Sequence, residues 1–568
     1  MVGRVRLVAI TLTVLVLIIV GRLYYVQVLA HDYYVDRASK QYVHTVQDLY
    51  RRGSIFFTTK DQTLVSAASV SQGYLLAINP REITDPAATC AAIVLAVPAI
   101  ALEDCLLRAE DKERSYVELY DRLATEVGET MREQKLAGVQ LYRNQWRYYP
   151  GGSLASRMLG FVGYTEKSDT ELHGKYGLER QYDEVLFRPR EVSTVNLFAE
   201  LFSNLGNAAT GEVTGPGDIV LTIEPTVANR LDQLLMATND TYQSELTGAI
   251  IMDPKTGAIY ALSAVPNYNL NDRAGATVED FRNPLVEDVY EFGSTIKALT
   301  VAAGLDSGRI TRTSTYYDPG CIELNTKPIC NYDKKGRGTA DMQMVLNQSL
   351  NTGVSHIVVE MGRDRFRDYF TNFKLGSESG IDLPNEASGL VSNLESPRDV
   401  EYATASFGQG IAMTPIAATR ALAALGNGGY LVTPHVVRAV RQPDGTEKEL
   451  RYPNGAQVLR PETSEEISRM LTTVVDEALL GGKAKQPHHT IAAKTGTAQM
   501  ADPNTGKYSE RDYLHSFFGY FPAYEPRFII FMYTVKPQGV RFASETLTEP
   551  FMELAEFLIS YYSLPPDR

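Results

Sequence analysis

Ser294 and Lys297 are the pair in this chain best spaced to make an activated nucleophile. They stand three apart in Tyr290-Glu291-Phe292-Gly293-Ser294-Thr295-Ile296-Lys297, where a glycine-marked loop gives way to the helical pattern Ile296, Leu299, Thr300, Ala303. Residues three apart on a helix share a face, so the lysine amine can reach the serine hydroxyl. Free N–H groups at a helix N-terminus also favour an anionic centre forming beside the serine. If burial lowers the lysine's pKa, the amine can accept the serine proton with no histidine present. The plainer alternative is an N-cap serine followed by a solvated lysine, because Ser-x-x-Lys recurs by chance.

Two later stretches bear on that choice. Ser349-Leu350-Asn351 lies at the end of a helical segment, and Lys494-Thr495-Gly496-Thr497 lies inside the predicted strand Thr490–Gln499. The chain contains its own control, a second Lys-Thr-Gly at Lys255-Thr256-Gly257. That copy follows Asp253-Pro254 and fits a hairpin turn, where lysine and glycine need no catalytic explanation. The later copy is flanked by small and β-branched residues. An edge strand there presents its backbone to an extended substrate, with glycine allowing close approach.

The elements that must position these residues fall after about residue 217. Asp218–Ile223 alternates as a strand, and Pro225 opens a helix running towards Leu235. Thr247–Asp253 and Ala258–Val265 read as a β-hairpin. Helical segments follow around Asp341–Leu350, Gly353–Met361, Ile416–Leu425 and Ser464–Leu480. Strands return at Thr490–Gln499, Ser516–Tyr524 and Phe528–Val535, before an apolar helix at Phe551–Tyr562. Strands at both ends with helices between them imply an α+β domain over 218–568, its antiparallel sheet formed from both ends of the segment and flanked by helices. Before it, 32–217 reads as a mixed α/β pedestal with no acid–base cluster. Within it Ala87–Leu107 is expected to be helical, Ser115–Lys135 to be a charged amphipathic helix, and Arg190–Gly217 to form a loose boundary.

At 568 residues the chain has room for about three or four domains. Its net charge of −13 argues against a nucleic-acid partner, which needs basic surface against phosphates. The N-terminus sets the compartment. Leu7–Gly21 is uncharged and mostly apolar, preceded by Arg4 and Arg6 and followed by Arg22, Tyr24 and Tyr25. Continued to Val28, the run 7–28 is long enough to be a transmembrane anchor. It leaves 1–6 as a cytoplasmic tail and places the rest outside the cytoplasmic membrane. A cleaved signal peptide ending at Val28-Leu29-Ala30 is the competing reading. In an exported chain, Cys90 with Cys105 and Cys321 with Cys330 make the simplest pair of disulfides. Four free thiols, or a metal held by Cys321, Cys330, Asp318 and Asp333, stay open as alternatives.

Ser-x-x-Lys, Ser-x-Asn and Lys-Thr-Gly occur here in the order found in β-lactamases and penicillin-binding proteins. The chain resembles a class B penicillin-binding protein, a monofunctional peptidoglycan D,D-transpeptidase, along nearly its whole length. Further matches are Arg52-Gly53-Ser54-Ile55, Tyr149-Pro150, Gly160-Phe161-Val162-Gly163, Gly177-Leu178-Glu179 and Leu221-Thr222-Ile223-Glu224. Gly380-Ile381-Asp382-Leu383-Pro384, Phe407-Gly408-Gln409-Gly410 and Ser516-Phe517-Phe518-Gly519 extend the resemblance through the later domain. The resemblance implies a dimerisation-type pedestal, a penicillin-binding domain, and Ser294 as the residue acylated by a D-Ala-D-Ala stem peptide or a β-lactam. It makes Lys297 the proton acceptor, Ser349 a proton relay, and Asn351 the residue positioning Lys297 and the substrate amide. Lys494 supplies positive charge, and the Thr495 and Thr497 hydroxyls hold the substrate carboxylate. The N–H groups of Ser294 and Thr497, the latter next to Gly496, make the oxyanion hole. No metal or organic cofactor is implied.

Two departures stand out from the family pattern. Phe292 replaces a usual proline, and Leu350 replaces a common second serine, at a position expected to point away from the chemistry and tolerate change. Alternative readings are a D,D-carboxypeptidase or β-lactamase-like hydrolase, and a non-catalytic division scaffold or β-lactam sensor. No glycosyltransferase domain fits before residue 217, so glycan polymerisation is expected from a polytopic membrane partner of the division or elongation machinery. Ser406-Phe407-Gly408-Gln409-Gly410-Ile411 leans towards the division type rather than the elongation type.

Overall fold

The computed structural model describes residues 15–22, 24–25, 52–165, 168–187, 216–453, 455–502 and 505–568. Compact packing divides the chain into two units, and the division is discontinuous in sequence. The larger unit combines Gly53–Ser69, Tyr149–Gly163 and His173–Arg568, while the smaller is built on Val70–Tyr148 with Tyr164–Leu172. Pieces on both sides of residue 217 thus belong to the larger unit, where the sequence alone draws one boundary.

The larger unit is organised on a five-stranded antiparallel sheet. Helix α1 (Pro225–Tyr242) starts at Glu224, whose side chain accepts from the Val227 N–H, with Pro225 in the first helical position. Strands β1 (Leu246–Met252) and β2 (Ile259–Val265) form the expected hairpin. Helix α2 (Lys297–Asp306) is buried on every face from Lys297 to Gly304, as its unbroken run of apolar and small residues requires. Helices α3 (Met342–Asn347) and α4 (Asn351–Met361) follow, then α5 (Pro415–Ala423) and α6 (Pro461–Thr473). The chain returns to the sheet as β3 (Ala492–Ala501), β4 (Tyr508–Phe521) and β5 (Phe528–Val535), and ends in helix α7 (Thr548–Tyr561). The strand order β3-β4-β5-β1-β2 joins both ends of the segment and leaves β3 at an edge. All eight residues of β5 are buried, which fits a central strand covered on both faces.

The smaller unit has its own core, from Tyr74, Leu76 and Ile78 through Cys90, Ile93 and Cys105 to Leu123 and Met131. Two expectations about it are corrected. Ala87–Leu107 is two helices, Pro86–Ala96 and Leu102–Glu110, because Pro98 cannot continue a helix and holds Val97 away from helical backbone. Ser115–Lys135 is a strand, Val117–Ala124, followed by a helix, Thr125–Glu133. Val117 and Leu123 are buried while that strand pairs antiparallel with Gly73–Ile78, so sheet pairing outweighs the helical look of its charges. Cys90 and Cys105 are disulfide-bonded across the two helices.

No helix among the described residues is long and apolar enough to cross a membrane. The expected anchor, 7–28, lies mostly outside the described residues. Of it, 15–22, 24 and 25 are described, as exposed helix. Most of the expected boundary Arg190–Gly217 also lies outside them.

Candidate active site

Ser294 sits in a single 3-10 turn, Gly293–Thr295, that feeds directly into α2. Three backbone approaches fix this turn. Gly293 has φ +60°, a conformation open to glycine at little cost, and a Cβ there would lie 2.7 Å from the Thr497 carbonyl oxygen. The Gly293 N–H donates to the carbonyl of Gly408 at 3.2 Å. On the other side, a Cβ on Gly496 would fall 2.4 Å from the Phe292 carbonyl oxygen. The edge strand therefore approaches the turn bearing Ser294 at backbone distance, as its glycine predicts. Ser516, opposite Gly496 on β4, donates its hydroxyl to the same Phe292 carbonyl at 2.7 Å.

Two lysines converge on one hydroxyl. Lys297 opens α2 with no exposed surface, and its Nζ donates to the Ser349 carbonyl and to Ser349 Oγ at 3.2 Å. Lys494, 3% exposed on β3, places its Nζ 3.1 Å from the same Oγ and 3.0 Å from the Thr495 carbonyl. Ser349 can meet both because it lies between α3 and α4 in left-handed backbone, φ +54°, which turns its carbonyl and hydroxyl to one side. Burial holds Lys297 well below the usual lysine range, and the neighbouring Lys494 charge lowers it further. Burial brings Lys494 down to about 8. An ammonium at the positive end of a helix is unfavourable for the same electrostatic reason.

The remaining expected residues divide. Asn351 adjoins the cluster, but its amide nitrogen donates to the Cys330 carbonyl at 2.8 Å rather than engaging Lys297, whose partners are both on Ser349. Thr497 Oγ1 accepts from the Ala543 N–H at 3.0 Å, which leaves the hydroxyl hydrogen free to donate. Thr495 is half-buried on the same strand. Cys321 and Cys330 face each other on a two-stranded hairpin, Cys321–Leu324 with Lys327–Cys330, and are bonded. The earlier Lys-Thr-Gly is a turn, with Lys255 and Thr256 N–H groups on Asp253 Oδ1 and Gly257 at φ +84°.

The departures are structural. Phe292 is wholly buried and meets Phe531 edge-to-face at 4.8 Å. Leu350 is also wholly buried, and its backbone before α4 is extended, which corrects the helical turn expected there. Sequence reading gave no role to Glu291. Its carboxylate accepts from the Gly410 N–H at 2.9 Å and from the Tyr508 hydroxyl, tying the segment before Ser294 to the Phe407–Gly410 loop and to β4. The position of Glu291, three residues before Ser294, was the available signal. Nothing in the sequence marked Tyr508.

Two family descriptions match this chain. "Penicillin binding protein transpeptidase domain" matches residues 247–554, and "Penicillin-binding Protein dimerisation domain" matches 51–197. Stage V sporulation protein D of Bacillus subtilis (strain 168) is 28% identical, over 94% of this chain and 82% of that protein. The Caulobacter vibrioides protein named "Probable peptidoglycan D,D-transpeptidase FtsI" is 28% identical, over 82% of this chain and 73% of its own length. A crystal structure of penicillin binding protein 3 from Mycobacterium tuberculosis, complexed with aztreonam, superposes with a TM-score of 0.69 at 22% identity, over 91% of this chain and 97% of that one.

Proposed function

Because the chain belongs to the penicillin-binding protein transpeptidase family, we propose that it is a serine D,D-transpeptidase that cross-links peptidoglycan and is acylated by β-lactams. The observation that carries this is the convergence of Lys297 and Lys494 on Ser349 Oγ, beside the turn holding Ser294.

Ser294 attacks the carbonyl of the penultimate D-alanine, expelling the terminal D-alanine and leaving an acyl-enzyme. Lys297 is the base. In its neutral form it can donate both hydrogens to Ser349, through the carbonyl and Oγ, and keep its lone pair for the Ser294 proton. Ser349, bonded to both lysines, passes a proton to the leaving amine. Lys494, charged below about pH 8, raises the potential at Ser349 and pairs with the substrate carboxylate. Thr497 adds its hydroxyl, whose oxygen the Ala543 N–H holds in place, and Thr495 lies along the same strand. The N–H groups of Ser294 and Thr497 stabilise the oxyanion, at about 3 kcal/mol per donor. Asn351, tied to Cys330, fixes the wall that the substrate amide meets. An amine from a neighbouring stem peptide then takes the acyl group.

The run 7–28 anchors the chain in the cytoplasmic membrane with the catalytic unit outside, a reading supported by its flanking arginines and tyrosines. A polytopic glycan polymerase is the expected partner. A division role is favoured by the likeness to a protein named FtsI. Fluorescent penicillin should label the protein covalently, and Ser294→Ala should remove the label. A Ser294→Ala protein that is still labelled would sink the assignment.

A further inference from the structure

We propose that a small cavity in the larger unit, walled on its polar side by Ser156, Arg157 and Asn283, binds a single halide ion. None of these residues belongs to the acylation cluster.

The cavity has room for about one water-sized body, and its lining contains no carboxylate. Leu262, Ala264 and Leu285 give it an apolar side. The three polar side chains are more than nine-tenths buried: Ser156 is 1% exposed, Asn283 4% and Arg157 8%. Each brings a buried polar atom without a hydrogen-bond partner, namely Ser156 Oγ, Asn283 Nδ2 and Arg157 Nε. Asn283 Oδ1 accepts from the Leu285 N–H at 3.2 Å, which makes the NH₂ group the unmatched end of that amide. Arg157 is held from two sides. Its Nη1 donates to the Arg282 carbonyl at 2.6 Å and its Nη2 to the Pro266 carbonyl at 2.7 Å. Both partners are neutral.

Unmatched buried donors are rare, and here three of them border one cavity. A guanidinium stays charged, and burying it without a counter-charge is costly. Among the described residues, no carboxylate stands within ion-pair distance of Arg157. Burial opposes its charge, and Asp280 and Asp288 support it only from farther away. A water could accept from Arg157 Nε and Asn283 Nδ2 and donate to Ser156 Oγ, but it would bring no charge. A halide accepts from all three and supplies the missing charge, while its polarisable surface suits the apolar side. The buried carboxylate of Asp232 is set apart from the ion. It lies outside the lining, and Asn267, which is part of the lining, donates to it at 3.5 Å. An ion in this place ties Arg157 to Asn283, the cap of the short helix Pro284–Glu287.

The test compares thermal melts of the full chain in sodium gluconate and sodium bromide at equal ionic strength, with bromide located in soaked crystals by anomalous scattering. Asn283→Asp is the informative variant, because it keeps the capping oxygen and puts a carboxylate where the unmatched amide was. Wild type should show a bromide peak in the cavity. Its melting-temperature difference, bromide minus gluconate, should exceed that of Asn283→Asp by about 2 °C or more, and the variant should show no peak. A cavity holding water and no bromide would overturn the proposal. So would a peak in wild type with the same salt response as Asn283→Asp, which marks binding at crystal concentration only. Should Asn283→Asp fail to fold, Ser156→Ala removes one donor and must shrink the salt response. An undiminished response in folded Ser156→Ala would overturn the site as well.

Discussion

The tripeptide Lys-Thr-Gly occurs twice in the larger unit, and the two copies share no physical role. Lys255 is exposed in a turn whose N–H groups are gathered by Asp253. Lys494 is buried on an edge strand, and its amine reaches Ser349. Gly257 is required by a left-handed backbone, φ +84°, and by the Thr433 carbonyl, 2.2 Å from where its Cβ would be. Gly496 is required because the turn bearing Ser294 lies against it. Identity of sequence fixes neither chemistry nor conformation here. Burial and the facing partner do.

The lysines give the largest expected separation. Lys494→Ala should slow acylation by benzylpenicillin by about 10²–10⁴-fold, through loss of a buried charge-assisted contact to Ser349 and the substrate carboxylate. Lys255→Ala should leave the rate unchanged. Stopped-flow acylation of both proteins checks this, and equal rates in the two variants would dissolve the contrast.

The glycines come next. Gly496→Ala puts a methyl 2.4 Å from the Phe292 carbonyl oxygen and 2.9 Å from the Thr295 nitrogen, so the turn bearing Ser294 has to move. Misplacement of that kind should slow acylation by about 10²-fold. Gly257→Ala is strained in a different way, and should cost about 1–3 kcal/mol of stability while the folded protein acylates normally. Thermal melts beside acylation rates taken well below the melting transition separate the two effects. Slowed acylation in folded Gly257→Ala would show that the first copy also serves the site.

Sequence carried most of the catalytic scaffold because its signals are local. The hairpin β1–β2, the strand Phe528–Val535 and the edge position of Lys494–Thr497 all follow from alternation, turn residues and order along the chain. Partners set by tertiary packing were not legible. Asn351 is taken by the Cys330 carbonyl and Lys297 by Ser349, choices that depend on the left-handed backbone of Ser349 and on the hairpin closed by Cys321 and Cys330. A helical reading of the motif turns Leu350 to an outer face, yet the extended backbone there makes it a core residue. In the smaller unit, Val117–Ala124 resembled a helix by charge spacing, and only its pairing with Gly73–Ile78 makes it a strand.

The smallest effect is also the one that tests why burial matters. Lysine deprotonates as pH rises through its pKa, so Lys494, lowered by burial to about 8, loses its charge above that pH. Burial and the neighbouring Lys494 charge hold Lys297 well below the usual lysine range, which favours the neutral form that the proposed base role needs. Acylation by a carboxylate-bearing penicillin should therefore decline on the alkaline side with an apparent pKa near 8. Deprotonating Lys494 also removes the charge that helps depress Lys297, so the base becomes slightly harder to keep neutral as its partner is lost. Lys494→Arg keeps the charge throughout the alkaline range and should flatten that limb, even if geometry lowers the plateau. Lys255→Arg should leave the profile as it is in wild type. An alkaline limb that stays near pH 8 in Lys494→Arg would assign the titration to another group and remove Lys494's charge from the mechanism.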